Sequence, residues 1–147
     1  MSIAIREAEK ADLINVLSLL AQPDMDNGSI LEYEKAEQIL CQQSEYPFYK
    51  LYVAETDSRI VGSFALLVMV NLGHMGAPSA IVEDFVVAPD LHRQGVGRAM
   101  MEHALSIAKL QDCYKVMLSS NLIRERAHKF YEELGFERHG YSFQVIL

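Results

Sequence analysis

The chain has 147 residues, half of them hydrophobic, and a net charge of −7. That length suits one domain spanning residues 1–147 with a sizeable core, and the acidic balance argues against a general nucleic-acid binder, whose phosphate contacts need a basic stripe. No apolar run is long enough to span a bilayer and Met1 to Lys10 lacks a signal-peptide core, so a cytoplasmic protein without a membrane partner is expected.

In chain order, Ile3 to Arg6 reads as a short strand. Asp12 is placed to cap a helix whose residues Leu13, Val16, Leu17, Leu19 and Leu20 share a broad apolar face. Pro23 to Ser29 is a loop, and a second helix is expected from Leu31 to about Gln43. Tyr49 to Glu55 and Ile60 to Val70 are strands joined by a hairpin turn at Asp57-Ser58-Arg59. Leu72 to Ser79, with Gly73, Gly76 and Pro78, is a loop. Ala80 to Val87 is a strand, ended by Pro89. Gly97 to Leu110 has helical periodicity, Tyr114 to Leu118 is a buried strand, and Arg124 to Leu134 is a helix closed by Gly135 as a left-handed cap. Two strands near Phe136 to Arg138 and Ser142 to Ile146 complete the chain. The order predicts an α/β fold with a single mixed, mostly antiparallel sheet of about seven strands, flanked by about four helices. Cys41 and Cys113 lie far apart without metal-ligand spacing and read as buried thiols of a reducing compartment.

The most informative segment runs from Val86 through Pro89 and His92-Arg93-Gln94-Gly95-Val96-Gly97-Arg98. An apolar strand ends, a polar loop follows, and two glycines open an amphipathic helix. Glycine lets backbone approach a bulky anion, and the first helical N–H groups have no partner within the helix. Arg93 and Arg98 add positive charge. Taken alone, a plain strand-to-helix turn reads the same way. A dinucleotide fold is disfavoured, because Met100 stands where the third glycine belongs and no acid lies near residue 117. A P-loop is excluded, since no Gly-Lys-Ser/Thr follows.

With this loop the sequence resembles the GNAT superfamily of acyl-CoA-dependent acetyltransferases. The family motif Arg/Gln-x-x-Gly-x-Gly/Ala after a strand reads here His92-Arg93-Gln94-Gly95-Val96-Gly97. Downstream, Ala127-His128-Lys129-Phe130-Tyr131-Glu132-Glu133-Leu134-Gly135-Phe136 resembles the family's helix ending in Phe-Tyr-Glu-x-Leu-Gly-Phe. The resemblance implies acetyl-CoA as cosubstrate and a splayed central pair of strands, Ala80–Val87 and Tyr114–Leu118. The pantetheine arm would lie between them, on the backbone of Phe85, Val86 and Val87, with the pyrophosphate on the loop His92, Arg93, Gln94, Gly95, Val96, Gly97 and Arg98. His92 replaces the usual Arg or Gln. Arg124 stands where Asn is common beside the pantetheine arm. Ile81 to Val87 and Cys113 to Val116 are also similar to glucosamine-6-phosphate N-acetyltransferases, which hints at an amino-sugar acceptor.

Acetyl transfer from a thioester to an amine needs a proton acceptor for the amine, a donor for the carbonyl oxygen and a proton for the leaving thiolate. Tyr131 is the candidate acid, since in the family the matching tyrosine lies near the cofactor sulfur; its phenol also suits helix packing. Glu83 and Asp84 interrupt an apolar strand, and adjacent strand residues point to opposite faces, so one of them can face an acceptor and serve as base, directly or through water. An ion pair or a solvated edge is the alternative for both. His74, in the glycine-containing loop, is a third candidate. His103, His128 and His139 read as surface residues, and no histidine–carboxylate set has metal spacing, so no metal is expected.

The acceptor pocket is expected from the first two helices, the Leu72–Ser79 loop and the C-terminal strands, with Asp24, Asp26, Glu32 and Tyr33 as polar candidates. A small-molecule amine is the expected acceptor. The competing classes are a non-catalytic acyl-CoA-binding module, which needs neither Tyr131 nor a base, and an acetyltransferase of peptide or protein amines. The apolar C-terminus, Phe143, Val145, Ile146 and Leu147, predicts a homodimer.

Overall fold

Residues Met1 to Leu147 are all described by the computed structural model, and the chain divides into two compact units, Met1–Met117 and Leu118–Leu147. The first holds a five-stranded sheet in the order β1-β2-β3-β4-β5, formed by Ala4–Glu7, Tyr49–Thr56, Arg59–Met69, Ser79–Val87 and Val116–Met117. The first three pairings are antiparallel, and β5 runs parallel to β4. Helices α1 (Leu13–Leu20), α2 (Tyr33–Ser44) and α3 (Val96–Leu110) belong to this unit. No helix is long and apolar enough to cross a membrane.

Both faces of the sheet are covered, as the long apolar strands require. On one face Leu13 and Leu17 of α1 pack with Ala36 and Leu40 of α2 and with Leu51 of β2. On the other, Tyr52 stacks on Phe64 at 5.2 Å and meets His103 of α3 at 5.5 Å. His103 is thus a packed residue rather than a surface one, and burial pulls its pKa below the usual imidazole range. Gly62 of β3 lies directly under Met100 of α3, where any Cβ would strike the thioether. The β2–β3 turn is made by Asp57 and Ser58, both at positive φ (49° and 60°), the two-residue hairpin geometry that matches strand twist.

Asp12 precedes α1 but does not cap it. Its carboxylate accepts from the Glu9 N–H (2.7 Å) and from two nitrogens of Arg6 (2.7 and 2.9 Å), tying a short 3-10 turn to β1. The guanidinium beside it holds the Asp12 pKa below the usual carboxylate range despite burial.

In the second unit, Leu118 to Arg124 leads into α4 (Glu125–Glu133). Gly135, at φ +94°, caps α4, with Phe136 N donating to Tyr131 O (3.0 Å) and Gly135 N to Glu132 O (3.0 Å). This is the paired hydrogen bonding of a left-handed glycine cap. Beyond it the expectation fails: the segments Phe136–Arg138 and Ser142–Ile146 form no strand, so the sheet has five strands and not seven. Alternating apolar residues supply a strand's pattern, but a strand exists only where a neighbour takes its backbone groups. The cysteines also differ from expectation: Cys41 is exposed on α2 and Cys113 only half-buried.

Candidate active site

Strand β4 is paired with β5 only at Ala80↔Val116 and Ile81↔Met117, while β4 itself continues to Val87. Past Ile81 its far edge therefore has no strand beside it, the splay that the family resemblance implies. On the β3 side the register slips. Ser63 pairs with Val86 but Ala65 with Glu83, so Asp84 and Phe85 together oppose Phe64. The extra residue is a β-bulge, and Asp84 occupies it at φ +50°, a left-handed conformation that non-glycine side chains rarely adopt.

The bulge changes the reading of the two acids. Strict alternation would send Glu83 and Asp84 to opposite faces; with Asp84 in the bulge, both side chains reach solvent. They also feel one another. The Glu83 carboxyl is raised above its ordinary pKa by partial burial and then by the Asp84 charge. Asp84 is raised by burial and then by Asp26, in the loop after α1. The Asp84 charge thus acts on Glu83 and the Asp26 charge on Asp84, and a cation beside Asp84 relieves that repulsion.

After Val87 the chain makes a 3-10 turn at Pro89–Leu91. Arg59 fixes that turn by a bidentate pair to Asp90 (2.8 and 3.0 Å), and Gln94 Nε2 donates to Asp90 O (3.1 Å). Arg93 (φ +63°) and Gly95 (φ +89°) are both left-handed, and Gly95 is the N-cap of α3. Left-handed residues alternating with ordinary ones turn successive N–H groups into one concavity, the geometry of an anion nest. The amides of Val96, Gly97 and Arg98 have no acceptor within the helix, and open space surrounds the place where a Gly95 Cβ would be. Arg98 lies 3.6 Å from Glu102, whereas Arg93 has no carboxylate partner. An open strand edge running into an amide nest fits an extended amide chain ending in phosphates.

Sequence reasoning missed Gln22. From the loop after α1, its Nε2 donates to Val87 O (3.1 Å), and His92 Nε2 lies 3.1 Å from the same oxygen. Val86 is buried, and Phe85 packs on Phe64 (6.0 Å). His74 stacks on Tyr114 at 4.2 Å. Tyr33 donates to Lys10 O (3.3 Å), and Glu32 is exposed ahead of α2. A cleft of about 330 Å³ lined by Glu7, Leu40, Tyr46 and Lys50 contains none of the candidate residues.

Arg124 and Tyr131 belong to the second unit. Arg124 stands at the N-cap of α4, and His128 Nε2 lies 2.8 Å from Asn121 O in the same turn. Tyr131 is 8% exposed, between the rings of Phe130 (5.4 Å) and Phe136 (5.9 Å). Burial raises its phenol above the ordinary tyrosine pKa, and the Arg124 charge opposes part of that rise.

The chain belongs to the Acetyltransferase (GNAT) family, whose model matches residues 13–136. It is 34% identical over 98 residues to a glucosamine 6-phosphate N-acetyltransferase of Trypanosoma brucei brucei, a match spanning 67% of this chain and 65% of that protein. The chain thus spans just under two thirds of the length of that curated relative. Among solved structures, a putative acetyltransferase from Agrobacterium tumefaciens str. C58 superposes with TM-score 0.90 at 28% identity, covering 98% of this chain and 99% of its own. A Trypanosoma brucei acetyltransferase does so with TM-score 0.87 at 28% identity, covering 99% and 100%.

Proposed function

We propose that the chain is an acetyl-CoA-dependent N-acetyltransferase that moves the acetyl group to a primary amine of a small molecule within a ternary complex. Acetyl-CoA would supply the activated thioester. The observation that carries this reading is the β4 edge, unpaired beyond Ile81 and leading into the Arg93–Arg98 nest. In this reading Phe85, Val86 and Val87 offer backbone groups to the pantetheine arm, and Gln94 to Arg98 offer amides to the pyrophosphate, with His92 anchoring the loop to Val87. Arg124 is assigned to the cofactor as well. Residues 1–147 act as one acetyltransferase domain, a reading supported by the family match across 13–136.

Chemistry is divided among three side chains. Glu83, or Asp84 beside it, takes the proton from the ammonium acceptor, directly or through water. The freed amine forms the C–N bond as the C–S bond breaks, and the nitrogen then gives up its second proton, through water, to restore the phenol of Tyr131. Tyr131 donates its proton to the departing thiolate, a role suited to a phenol kept protonated by burial. The Asp84 charge beside Glu83 and the Asp26 charge beside Asp84 favour a cationic acceptor, and the trypanosomal relative directs attention to amino sugars. A thiol-release assay over small amines, amino sugars including glucosamine 6-phosphate, amino acids and peptides tests the reading. Turnover with a small amine supports it; acetyl-CoA binding without turnover on any acceptor would leave a binding module, and turnover on peptides alone a peptide acetyltransferase.

A further inference from the structure

Strand β4 leaves its ladder at Val87, which pairs with Gly62. Beyond that point the chain stays attached to β3. Ala88 N donates to Val61 O (2.8 Å), and Asp90 then meets Arg59, the first residue of β3, in a two-pronged ion pair (2.8 and 3.0 Å). Val61 and Arg59 thus take up Ala88 and Asp90 in turn, and the start of β3 prolongs the pairing past the end of β4. The hairpin turn at Asp57-Ser58, with both residues left-handed, fixes where that start lies.

What is held in this way is the approach to the nest. The backbone oxygen of Asp90 accepts from Gln94 Nε2 (3.1 Å), and between these two residues Arg93 stands at φ +63°. A side chain disfavours that conformation, so the surroundings must impose it. The bonds Leu91 N to Ala88 O and His92 N to Pro89 O (2.9 and 3.4 Å) close the turn on itself. The Arg59 fork, from 31 positions away, ties it to the sheet. Both side chains of the pair are more than half exposed, 56% and 59%. An ion pair so open to water contributes little to stability, but its fork geometry fixes direction as well as distance. Such a pair is suited to shaping a loop rather than to holding the fold.

We propose that Arg59 and Asp90 form a positioning clamp for the pyrophosphate of the cofactor. They touch no reacting atom; they hold the Arg93–Arg98 nest in the shape that binds. The inference rests on the assignment of acetyl-CoA to that nest. Apparent Kd is the intrinsic value divided by the fraction of molecules whose site is formed, so releasing the clamp costs affinity and leaves turnover alone.

The sign of the effect at Asp90 is the test. If the two residues acted only through their charges, Arg59→Ala would weaken the binding of an anionic cofactor and Asp90→Ala would tighten it. The clamp requires both to weaken it. Calorimetry with acetyl-CoA should show each variant losing about five-fold or more, the range over which a left-handed residue is disfavoured, and the double variant losing no more than either alone. Arg59→Lys keeps the charge without the fork and should recover little. Exchanging the pair, Arg59→Asp with Asp90→Arg, should recover part of the loss. Dephospho-CoA, which lacks the 3′-phosphate, should lose affinity by the same factors. In turnover KM for acetyl-CoA should rise while kcat and Tm stay near wild type. Unchanged or tighter binding in Asp90→Ala overturns the proposal. A loss in Arg59→Ala that vanishes with dephospho-CoA also overturns it, and makes Arg59 a direct phosphate ligand. Unchanged affinity in both single variants, with Gly97→Val weakened, overturns the clamp alone; unchanged affinity in all three overturns the nest assignment with it.

Discussion

Gln22, in the loop after α1, donates from Nε2 to the carbonyl of Val87 at the end of β4, 3.1 Å away. That carbonyl faces away from β3, because the following Ala88 N–H turns back to Val61 O (2.8 Å). With His92 Nε2 at 3.1 Å, both lone pairs of the oxygen are engaged. A ligand amide donating to Val87 must displace one of the two side chains. Gln22 is the mobile choice, since His92 is part of the loop itself.

Gln22→Ala should accordingly tighten acetyl-CoA binding. A neutral hydrogen bond contributes about 1 kcal/mol, so the gain is roughly five-fold in Kd. Calorimetry reads it directly. In the wild type, acetyl-CoA should also speed amide exchange in residues 21–32, and the variant should show that loop already loosened. Weaker binding in Gln22→Ala would mean that the side chain supports the site instead of competing for it.

Tyr131→Phe keeps the buried ring and removes the hydroxyl. Negative charge reaches the sulfur only as the C–S bond breaks, so the loss should fall on kcat, with acetyl-CoA affinity unchanged. A positioned acid contributes at most ~10²–10⁴-fold, and a thiolate leaves fairly well unaided, so the lower end is expected. No pH should restore the rate. Wild-type turnover would remove Tyr131 from the mechanism.

The coupled acids predict a displaced pH profile. The Asp84 charge raises Glu83, so Asp84→Asn should move the acid limb of the rate profile to lower pH if Glu83 is the base. Glu83→Gln should lose most rate at low pH and recover partly as free amine accumulates. Stability follows the same shifts. A carboxyl whose folded pKa is raised contributes stability below its unfolded pKa and loses it as pH rises through the folded one. Asp84→Asn should therefore raise Tm at neutral pH and bring no gain in acid. An unmoved acid limb would point to another base.

Asp12 carries the opposite sign. Its pKa is depressed by Arg6, so its contribution is present above the unfolded pKa and disappears as pH falls through the folded value. Asp12→Ala leaves Arg6 with Glu55 as its remaining carboxylate partner (3.0 Å) and the Glu9 N–H without its acceptor, and should destabilise by about 1–2 kcal/mol at neutral pH. Denaturant melts at neutral and strongly acid pH should show the difference between variant and wild type shrinking in acid.

Local chemistry was legible where it acts alone. Asp57-Ser58 forms its hairpin, Gly135 caps α4, and Gly95-Val96-Gly97 opens a helix, because each depends on a few neighbouring dihedrals. The bulge at Asp84 was missed although two adjacent acids break the alternation of Val82-Glu83-Asp84-Phe85; the pair marks an irregularity, but the slip itself arises in the pairing with β3. Gln22 reaches Val87 across 65 positions, and no local pattern marks such a contact. The C-terminal strands misled for a related reason. Their pattern is real, but pairing needs a partner edge that periodicity does not reveal.

The central claim is that the Gln94–Arg98 amides hold the pyrophosphate of acetyl-CoA, and calorimetry on wild type and Gly97→Val tests it most directly. Valine would place a branched side chain beside the amides of Val96 and Arg98, where the phosphate must approach. Binding by the wild type, weakened several-fold or more in a Gly97→Val variant that melts cooperatively, is the expected result. Equal acetyl-CoA affinity in the two folded proteins would contradict the assignment of this loop and the reading built on it.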